Sequence, residues 1–227
     1  NFIGKRKILI IGTKEFKSTS HEIIFDRIEL GTYLIAAALA GKKIIFLKIK
    51  SIIIETEIKL LKKMGVKMKV EKNKITIFES GKLNSTNVKT EPYPGFPTDL
   101  QAQIMVLMIR ASGISKITEN IFENRFMHVP ELRRMGAKII TKNNVAFISG
   151  PTNLSGAEVM ATDLRASVSL VLAALVADNR TIINRVYHLD RGYENLEKKL
   201  KKCRATINRI WMQVKNLKLL ATSDEDL

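Results

Sequence analysis

"PTDLQAQIMVL" occupies residues 97–107 and "ATDLRASVSLVL" occupies residues 161–172. Each places a small or turn residue before Thr-Asp-Leu and then opens a long apolar run. A third version, "FDRIELGTYLIAAALAG", spans residues 25–41. The segments downstream of each Asp also repeat. After Asp99 come an apolar helix to about Arg110, a strand in "SKITENIF", a loop in "ENRFMHVP", a helix in "PELRRMG", and paired strands in "AKIITKNN" and "VAFISG". After Asp163 the order is an apolar helix, a strand in "RTIINRV", a loop in "YHLDRGYE", a helix in "NLEKKLKK" and a strand in "ATINRI". After Asp26 it is an apolar helix, a strand in "KKIIFLKI", a helix in "EIKLLKKMG", and a hairpin in "VKMKVEKN" and "ITIFES". From Asp26 to Gly65, Asp99 to Gly136 and Asp163 to Arg204, where the second helix of each copy stops, is 39, 37 and 41 residues. Registers this close predict one unit written three times.

The helix after each Asp is apolar nearly all round, the pattern of a buried helix. The hairpin strands alternate apolar and polar, the pattern of a sheet with one wet face. Helices inside and half-wet sheets outside make an inside-out α/β architecture. Each Asp has a simple structural account as a helix N-cap, worth roughly 1 kcal/mol. That account leaves the polar flanks of the second and third copies unexplained.

The composition narrows the function. The longest apolar runs, "YLIAAALA" and "LVLAALVA", are eight residues, against the roughly 20 needed to span a bilayer. The expectation is a soluble, cytoplasmic protein with no membrane partner. A single cysteine, Cys203, allows no internal disulfide; it sits on an amphipathic helix and is expected to pack. Residue 1 is Asn rather than Met, as in a fragment or a trimmed chain. The net charge is +16, but the excess is lysine scattered between isoleucines, and no aromatic is interleaved with arginine as a stacking platform requires. The reading is a lysine-rich solvated surface without a nucleic-acid partner; a basic nucleic-acid-binding module is the alternative that the charge leaves open. An anionic small substrate is compatible with it.

The loops after each unit's first strand carry the candidate chemistry. Unit two has Glu123, Asn124, Arg125 and His128; unit three has His188, Asp190, Arg191 and Glu194. Arg165 lies two residues beyond Asp163. Surface ion pairs of this kind are worth little, but matching loops in two units point to fixed arginines awaiting a phosphate or carboxylate. "EPYPGFPTD", residues 91–99, holds three prolines and a glycine, a stiff loop that delivers Asp99 to a defined point, as a general base requires. His21, His128, His188 and Cys203 lack zinc-ligand spacing, and no phosphate-binding glycine motif is present. His128 and His188 are expected to make local hydrogen bonds.

"FPTDLQAQ", "ITENIFENRFMHVPELRRMGA", "GAEVMATDLRASVSLVLAAL", "YHLDRGYENLEKKL" and "DRIELGTYLIAAA" closely resemble the bacterial UDP-N-acetylglucosamine enolpyruvyl transferases, over about residues 8–210. The related enolpyruvylshikimate-phosphate synthases share that fold without "ENRFMHVPEL" or "DRGYE". The resemblance implies an inside-out α/β barrel of two three-repeat domains with the active site in the cleft. It implies transfer of an enolpyruvyl group from phosphoenolpyruvate to the 3′-hydroxyl of UDP-N-acetylglucosamine, by addition and then elimination of phosphate, at the first committed step of peptidoglycan synthesis. No metal and no organic cofactor is implied.

By motif, Asp99 resembles the residue that contacts the sugar hydroxyl as general base, and Ile121 the other UDP-sugar contact of this half. Arg125, Arg165 and Arg191 resemble the arginines around phosphoenolpyruvate. Asp163 is placed beside Arg165 at the cleft, and Asp26 at the hinge. The likeness covers only the second half of the family. Residues 1–25 read as the tail of the other domain, 26–210 as the three-repeat domain with units near 26–80, 97–150 and 161–210, and 211–227 as an extension without a role. The family's reactive cysteine and Lys-Asn pair belong to the other half, so this chain is expected to be inactive alone, with that half as a candidate partner. The alternative is a non-catalytic remnant of a split or decayed gene.

Overall fold

The first unit begins where the Asp26 carboxylate turns extended backbone into helix. It accepts the N–H groups of Ile28 at 2.7 Å and Glu29 at 3.2 Å, an N-cap that opens α1 (Arg27–Ala40). The computed structural model describes residues 7–211 and 217–222. Residues 7–25 are mostly exposed and carry no helix or strand beyond a single bridge at Ile8. Residues 1–6 of the expected tail, and 212–216 and 223–227 of the expected extension, lie outside the described residues.

Unit one continues with β1 (Lys43–Leu47), α2 (Glu55–Lys63), β2 (Met68–Glu71) and β3 (Lys74–Phe78). A linker with two short strands, β4 (Leu83–Asn84) and β5 (Asn87–Lys89), leads to unit two. That unit holds a 3-10 turn at Thr98–Leu100, α3 (Gln101–Ile109), β6 (Ala111–Thr118), α4 (Val129–Arg134), β7 (Lys138–Lys142) and β8 (Val145–Gly150). A second linker carries β9 (Leu154–Ser155) and β10 (Glu158–Met160). Unit three holds α5 (Ser167–Ala174), β11 (Ala177–Asp178), β12 (Thr181–Asn184), α6 (Tyr187–Asp190), α7 (Leu196–Lys202), β13 (Thr206–Trp211) and β14 (Leu217–Thr222).

The three sheets share one topology: first strand, third strand, second strand. The orders are β1-β3-β2, β6-β8-β7 and β12-β14-β13. In each, the last strand of the unit lies in the middle and pairs antiparallel with both neighbours. The helices are inside. All nine residues of α3 and all eight of α5 are buried, and α1 and α5 each pack against α3. Burying one such aliphatic side chain is worth roughly 1.5–3 kcal/mol, so the three apolar helices are the core.

Three sequence-based expectations are corrected. The strand in "SKITENIF" stops at Thr118, because the Glu119 carboxylate takes the N–H groups of Ile121 and Phe122 and bends the chain away. Position 210 does not end the third unit, since residues 217–222 form its middle strand. The outer face of β3 is not wet throughout: Thr76 is buried between its register partners Ile45 and Lys69.

Each second helix ends in the same turn. Val66, Ala137 and Ala205 return their N–H groups to Leu61, Leu132 and Leu200, around a residue of positive φ: Gly65 at 90°, Gly136 at 97° and Arg204 at 70°. This is the left-handed helix stop that glycine fills without strain. Arg204 occupies it with a side chain, at a cost of roughly 1–2 kcal/mol. Arg204→Gly is therefore expected to raise unfolding free energy by about 1 kcal/mol in urea denaturation. Gly136→Ala is expected to lower it by a similar amount, although the nearest atom to the added Cβ is 3.6 Å away.

Candidate active site

The three repeated aspartates do three different things. Asp26 caps α1. Asp163 accepts the N–H groups of Arg165 at 2.8 Å and Ala166 at 2.6 Å, holding the turn before α5. Asp99 caps nothing. Neither the 3-10 turn that contains it nor α3 has a side-chain cap, which corrects the N-cap account for this position. Its Oδ1 instead accepts Arg125 Nη2 at 2.9 Å, and its Oδ2 lies 4.0 Å from Arg165 Nε. Arg165 Nη2 is also 3.7 Å from Asp26 Oδ2. Residues from the three units thus form one row: Asp26, Arg165, Asp99, Arg125.

Each member is held from behind. Arg165 donates to the Gly192 carbonyl at 3.3 Å and lies over the Tyr193 ring, 5.4 Å from its centre. Arg125 lies over the Phe122 ring at 5.2 Å. The Asp99 carbonyl accepts Gln103 Nε2 at 2.8 Å. Gln103 is fully buried, and the same nitrogen also approaches Thr32 Oγ1 and the Tyr193 hydroxyl at 3.2 Å each; those two oxygens are 2.9 Å apart. Thr32 stands on α1, Gln103 on α3 and Tyr193 in unit three, so this contact joins all three units beneath Asp99. Burial raises the Tyr193 hydroxyl above its ordinary pKa, against the Thr32 and Gln103 hydrogen bonds and the Arg165 charge, which act to lower it.

The loop ahead of Asp99 is anchored as the prolines predict. Arg27 donates to Glu57 at 2.7 Å and to the Gly95 carbonyl at 2.8 Å, and lies over the Tyr93 ring. Thr56 Oγ1 donates to the Pro94 carbonyl, and Phe96 is buried. A residue outside the sequence-based set, Glu119, binds this loop to the next. Its Oε2 accepts Thr98 Oγ1 at 2.8 Å, next to Asp99; its Oε1 accepts Thr90 Oγ1, Ile121 N and Phe122 N. Glu119 is buried although it carries a carboxylate, and it aligns Ile121 and Arg125 relative to Asp99. Its sequence signal, a Thr-Glu-Asn at the end of a strand, resembles an ordinary turn.

Ile121 is 36% exposed, and its backbone N–H is held by Glu119. Arg191, at the end of α6, is exposed. It forms no ion pair with Asp26, Asp99 or Asp163 among the described residues; Arg125 and Arg165 meet on Asp99 without it. Cys203 follows α7 and is exposed, not packed. Among the described residues, no group of three His, Cys, Asp or Glu could hold a metal ion, and no helix is long and apolar enough to cross a membrane.

His128 departs from expectation. It is buried at the start of α4, and neither ring nitrogen has a hydrogen-bond partner. Burial lowers its pKa from 6.5 to about 4, with the Arg125 charge acting in the same direction and Asp163 against it. Between those values the unfolded chain binds a proton that the folded chain refuses, so stability is lost as pH falls through that window. We expect His128 to remove about 3 kcal/mol between pH 7 and pH 4. Urea midpoints measured across that range should fall less steeply for His128→Leu than for the parent chain.

The model of a protein family described as EPSP synthase (3-phosphoshikimate 1-carboxyvinyltransferase) matches residues 3–200. The UDP-N-acetylglucosamine 1-carboxyvinyltransferase of Pelagibacter ubique (strain HTCC1062) is 57% identical over 207 residues, 91% of this chain and 50% of the relative. That of Rickettsia canadensis (strain McKiel) is 50% identical over 208 residues, 92% of this chain and 50% of the relative. The chain spans about half the length of the curated relatives it matches. Among solved structures, the enolpyruvyl transferase NikO from Streptomyces tendae superposes with a TM-score of 0.73 at 31% identity, over 80% of this chain and 43% of that one. EPSP synthase from Acinetobacter baumannii shares the fold, with a TM-score of 0.63 at 15% identity, over 89% of this chain and 47% of that one.

Proposed function

The chain belongs to the EPSP synthase family of enolpyruvyl transferases, and we propose that it forms one wall of a site that transfers the enolpyruvyl group of phosphoenolpyruvate to the 3′-hydroxyl of UDP-N-acetylglucosamine. The observation that carries this reading is Asp99: alone of the three aspartates it is released from backbone duty and faces two guanidinium groups. A dianionic phosphate with a carboxylate needs several fixed cations, and Arg125 and Arg165 are already held by ring and carbonyl contacts. Fixed charge of this kind stabilises developing charge without reorganisation.

In the proposed reaction, phosphoenolpyruvate competes with Asp99 for the two arginines and leaves its carboxylate free to accept a proton. Asp99 takes that proton from the sugar 3′-hydroxyl while the oxygen bonds to carbon 2 of phosphoenolpyruvate and carbon 3 takes a proton from an acid on the other wall of the cleft, giving a tetrahedral adduct that still carries the phosphate. A base then removes a proton from carbon 3 as the bond between carbon 2 and the phosphate oxygen breaks, so inorganic phosphate departs and the double bond reforms in the enolpyruvyl group now on the sugar. Ile121, on the loop that Glu119 holds, lies against the UDP-sugar. Arg191 reaches the phosphate or carboxylate from the exposed loop of unit three, and Asp163 and Asp26 set the position of Arg165. No metal and no organic cofactor takes part. The other wall comes from the part of the relatives' length that this chain does not span, and the reaction belongs to cytoplasmic peptidoglycan synthesis.

The test joins this chain to that other half and measures phosphate release that requires both substrates. Asp99→Asn is expected to lower turnover by about two to four powers of ten, with folding unchanged by circular dichroism. The 227-residue chain alone is expected to release no phosphate. Near-parental turnover of Asp99→Asn, or sugar-dependent release by the chain alone, would overturn the reading.

A further inference from the structure

Arg191 stands on a clamped piece of backbone. It follows α6, a helix of one turn with no side-chain cap at its start. A single turn does not hold itself together in water. After Arg191 the chain is held by Arg165, which donates to the Gly192 carbonyl at 3.3 Å, and by Tyr193, whose hydroxyl joins the buried contact with Thr32 and Gln103. Before Arg191 it is held by Arg209 of β13.

Arg209 meets Asp190, the residue immediately before Arg191, with both arms of its guanidinium. Nη2 donates to Oδ1 at 2.6 Å and Nη1 to Oδ2 at 3.1 Å. Nη2 also donates to Glu197 Oε2 at 3.2 Å, on α7. A two-armed pair of this kind is the strong form of a charged hydrogen bond. The Arg209 side chain is 19% exposed. Its Nε is buried without a partner, so the fork reaches the two carboxylates at the expense of one of its own donors, which costs stability.

That grip decides what Arg191 can meet. Residues 190 and 191 both have helical backbone, so their side chains leave the axis about 100° apart. With Asp190 drawn to β13, Arg191 is carried away from it. Both Asp190 oxygens are occupied, and Arg191 is exposed with no ion pair among the described residues. Without the fork, a bare carboxylate stands next to Arg191 and competes for it. Arg191 would then reach an incoming anion with its charge already spent on its neighbour.

We propose that Arg209 is a positioning residue for Arg191: it takes the carboxylate of Asp190 and leaves Arg191 unpaired for the phosphate or carboxylate of phosphoenolpyruvate. The proposal rests on the function assigned above to Arg191 and adds a residue that itself touches no substrate. Arg125 and Arg165 are steadied by the Phe122 and Tyr193 rings. Arg191 is instead kept free by a fourth arginine, which carries off the charge of its neighbour.

The test uses this chain joined to the other half of its relatives, with phosphate release measured against each substrate in turn. Arg209→Gln is expected to raise KM for phosphoenolpyruvate about tenfold, the loss of one charge-assisted hydrogen bond. KM for UDP-N-acetylglucosamine is expected to stay within about twofold of the parent's. Adding Asp190→Asn to Arg209→Gln removes the competing carboxylate and is expected to bring the phosphoenolpyruvate KM back to within about threefold of the parent's. A KM does not depend on the fraction of the protein that folds, so a variant of low yield still answers. An equal rise in both KM values, or no rescue by Asp190→Asn, would show that Arg209 only supports the fold, and the proposal would be lost. Arg191→Ala separates this inference from the function it rests on. If Arg191→Ala raises the phosphoenolpyruvate KM and Arg209→Gln does not, the inference alone fails. If Arg191→Ala leaves that KM at the parental value, or the joined parent releases no phosphate, the role given to Arg191 fails and the inference with it.

Discussion

Three helices with no polar stripe have nothing in their side-chain pattern to fix how they rotate or slide against one another. The hydrogen-bonded contact of Thr32, Gln103 and Tyr193 does so. It is the place where α1, α3 and unit three exchange directional side-chain bonds in the interior, and a buried donor or acceptor left without a partner costs about 1–3 kcal/mol. A slip of any helix would break these bonds before it disturbed much apolar packing. The same Gln103 nitrogen holds the carbonyl of Asp99, so the contact that sets helix register also sets the height of the carboxylate above the core. Position of the site and packing of the core are therefore one problem with one solution.

The repeats, the buried helices and the outer hairpins are legible in the sequence because each depends on local pattern: period, glycine stops and an Asp before each apolar run. The differences between the three aspartates are not, because they depend on what stands across the fold. Asp99 lacks a cap because Arg125, 26 residues on, and Arg165, in another unit, lie within reach of its oxygens. Glu119 is silent for a related reason: a single Glu at a strand end has no periodic signature, and its four bonds come from Thr90, Thr98 and two backbone amides. His128 shares a loop with Glu123, Asn124 and Arg125, which suggests a hydrogen-bonding residue, yet the start of α4 turns it inward where no partner stands. The third strand of unit three follows a Lys-Asn pair like those ahead of β3 and β8, but "LKLLAT" alternates only in part, and its two antiparallel neighbours identify it.

The row of alternating charges across the site also explains why so basic a chain concentrates so little of its charge there. Its lysines lie on the hairpins and on exposed helix faces, as in β2, α2 and α7. The cations near Asp99 are arginines, stacked on rings or bonded to carbonyls. A planar guanidinium tolerates partial burial in a fixed orientation, whereas an ammonium on a flexible stem keeps its water. Surface lysine and site arginine answer to different physical demands, and the total charge reports mainly on the first.

In every unit the central strand is the one made last. β3, β8 and β14 each insert between strands that precede them in the chain. During synthesis, the first two strands of a unit emerge with their facing edges bare, and only the arrival of the third joins them. Unit one is complete by residue 78 and unit two by residue 150, long before translation reaches β14. Unit three waits until residue 222 with β12 and β13 both open on the side that β14 will occupy. Exposed strand edges recruit other chains, and domains assemble in the order in which they leave the ribosome. The nascent polypeptide is thus open to association in each unit until that unit's middle strand emerges, and the gap between second and third strands is longest in unit three, from residue 211 to residue 217.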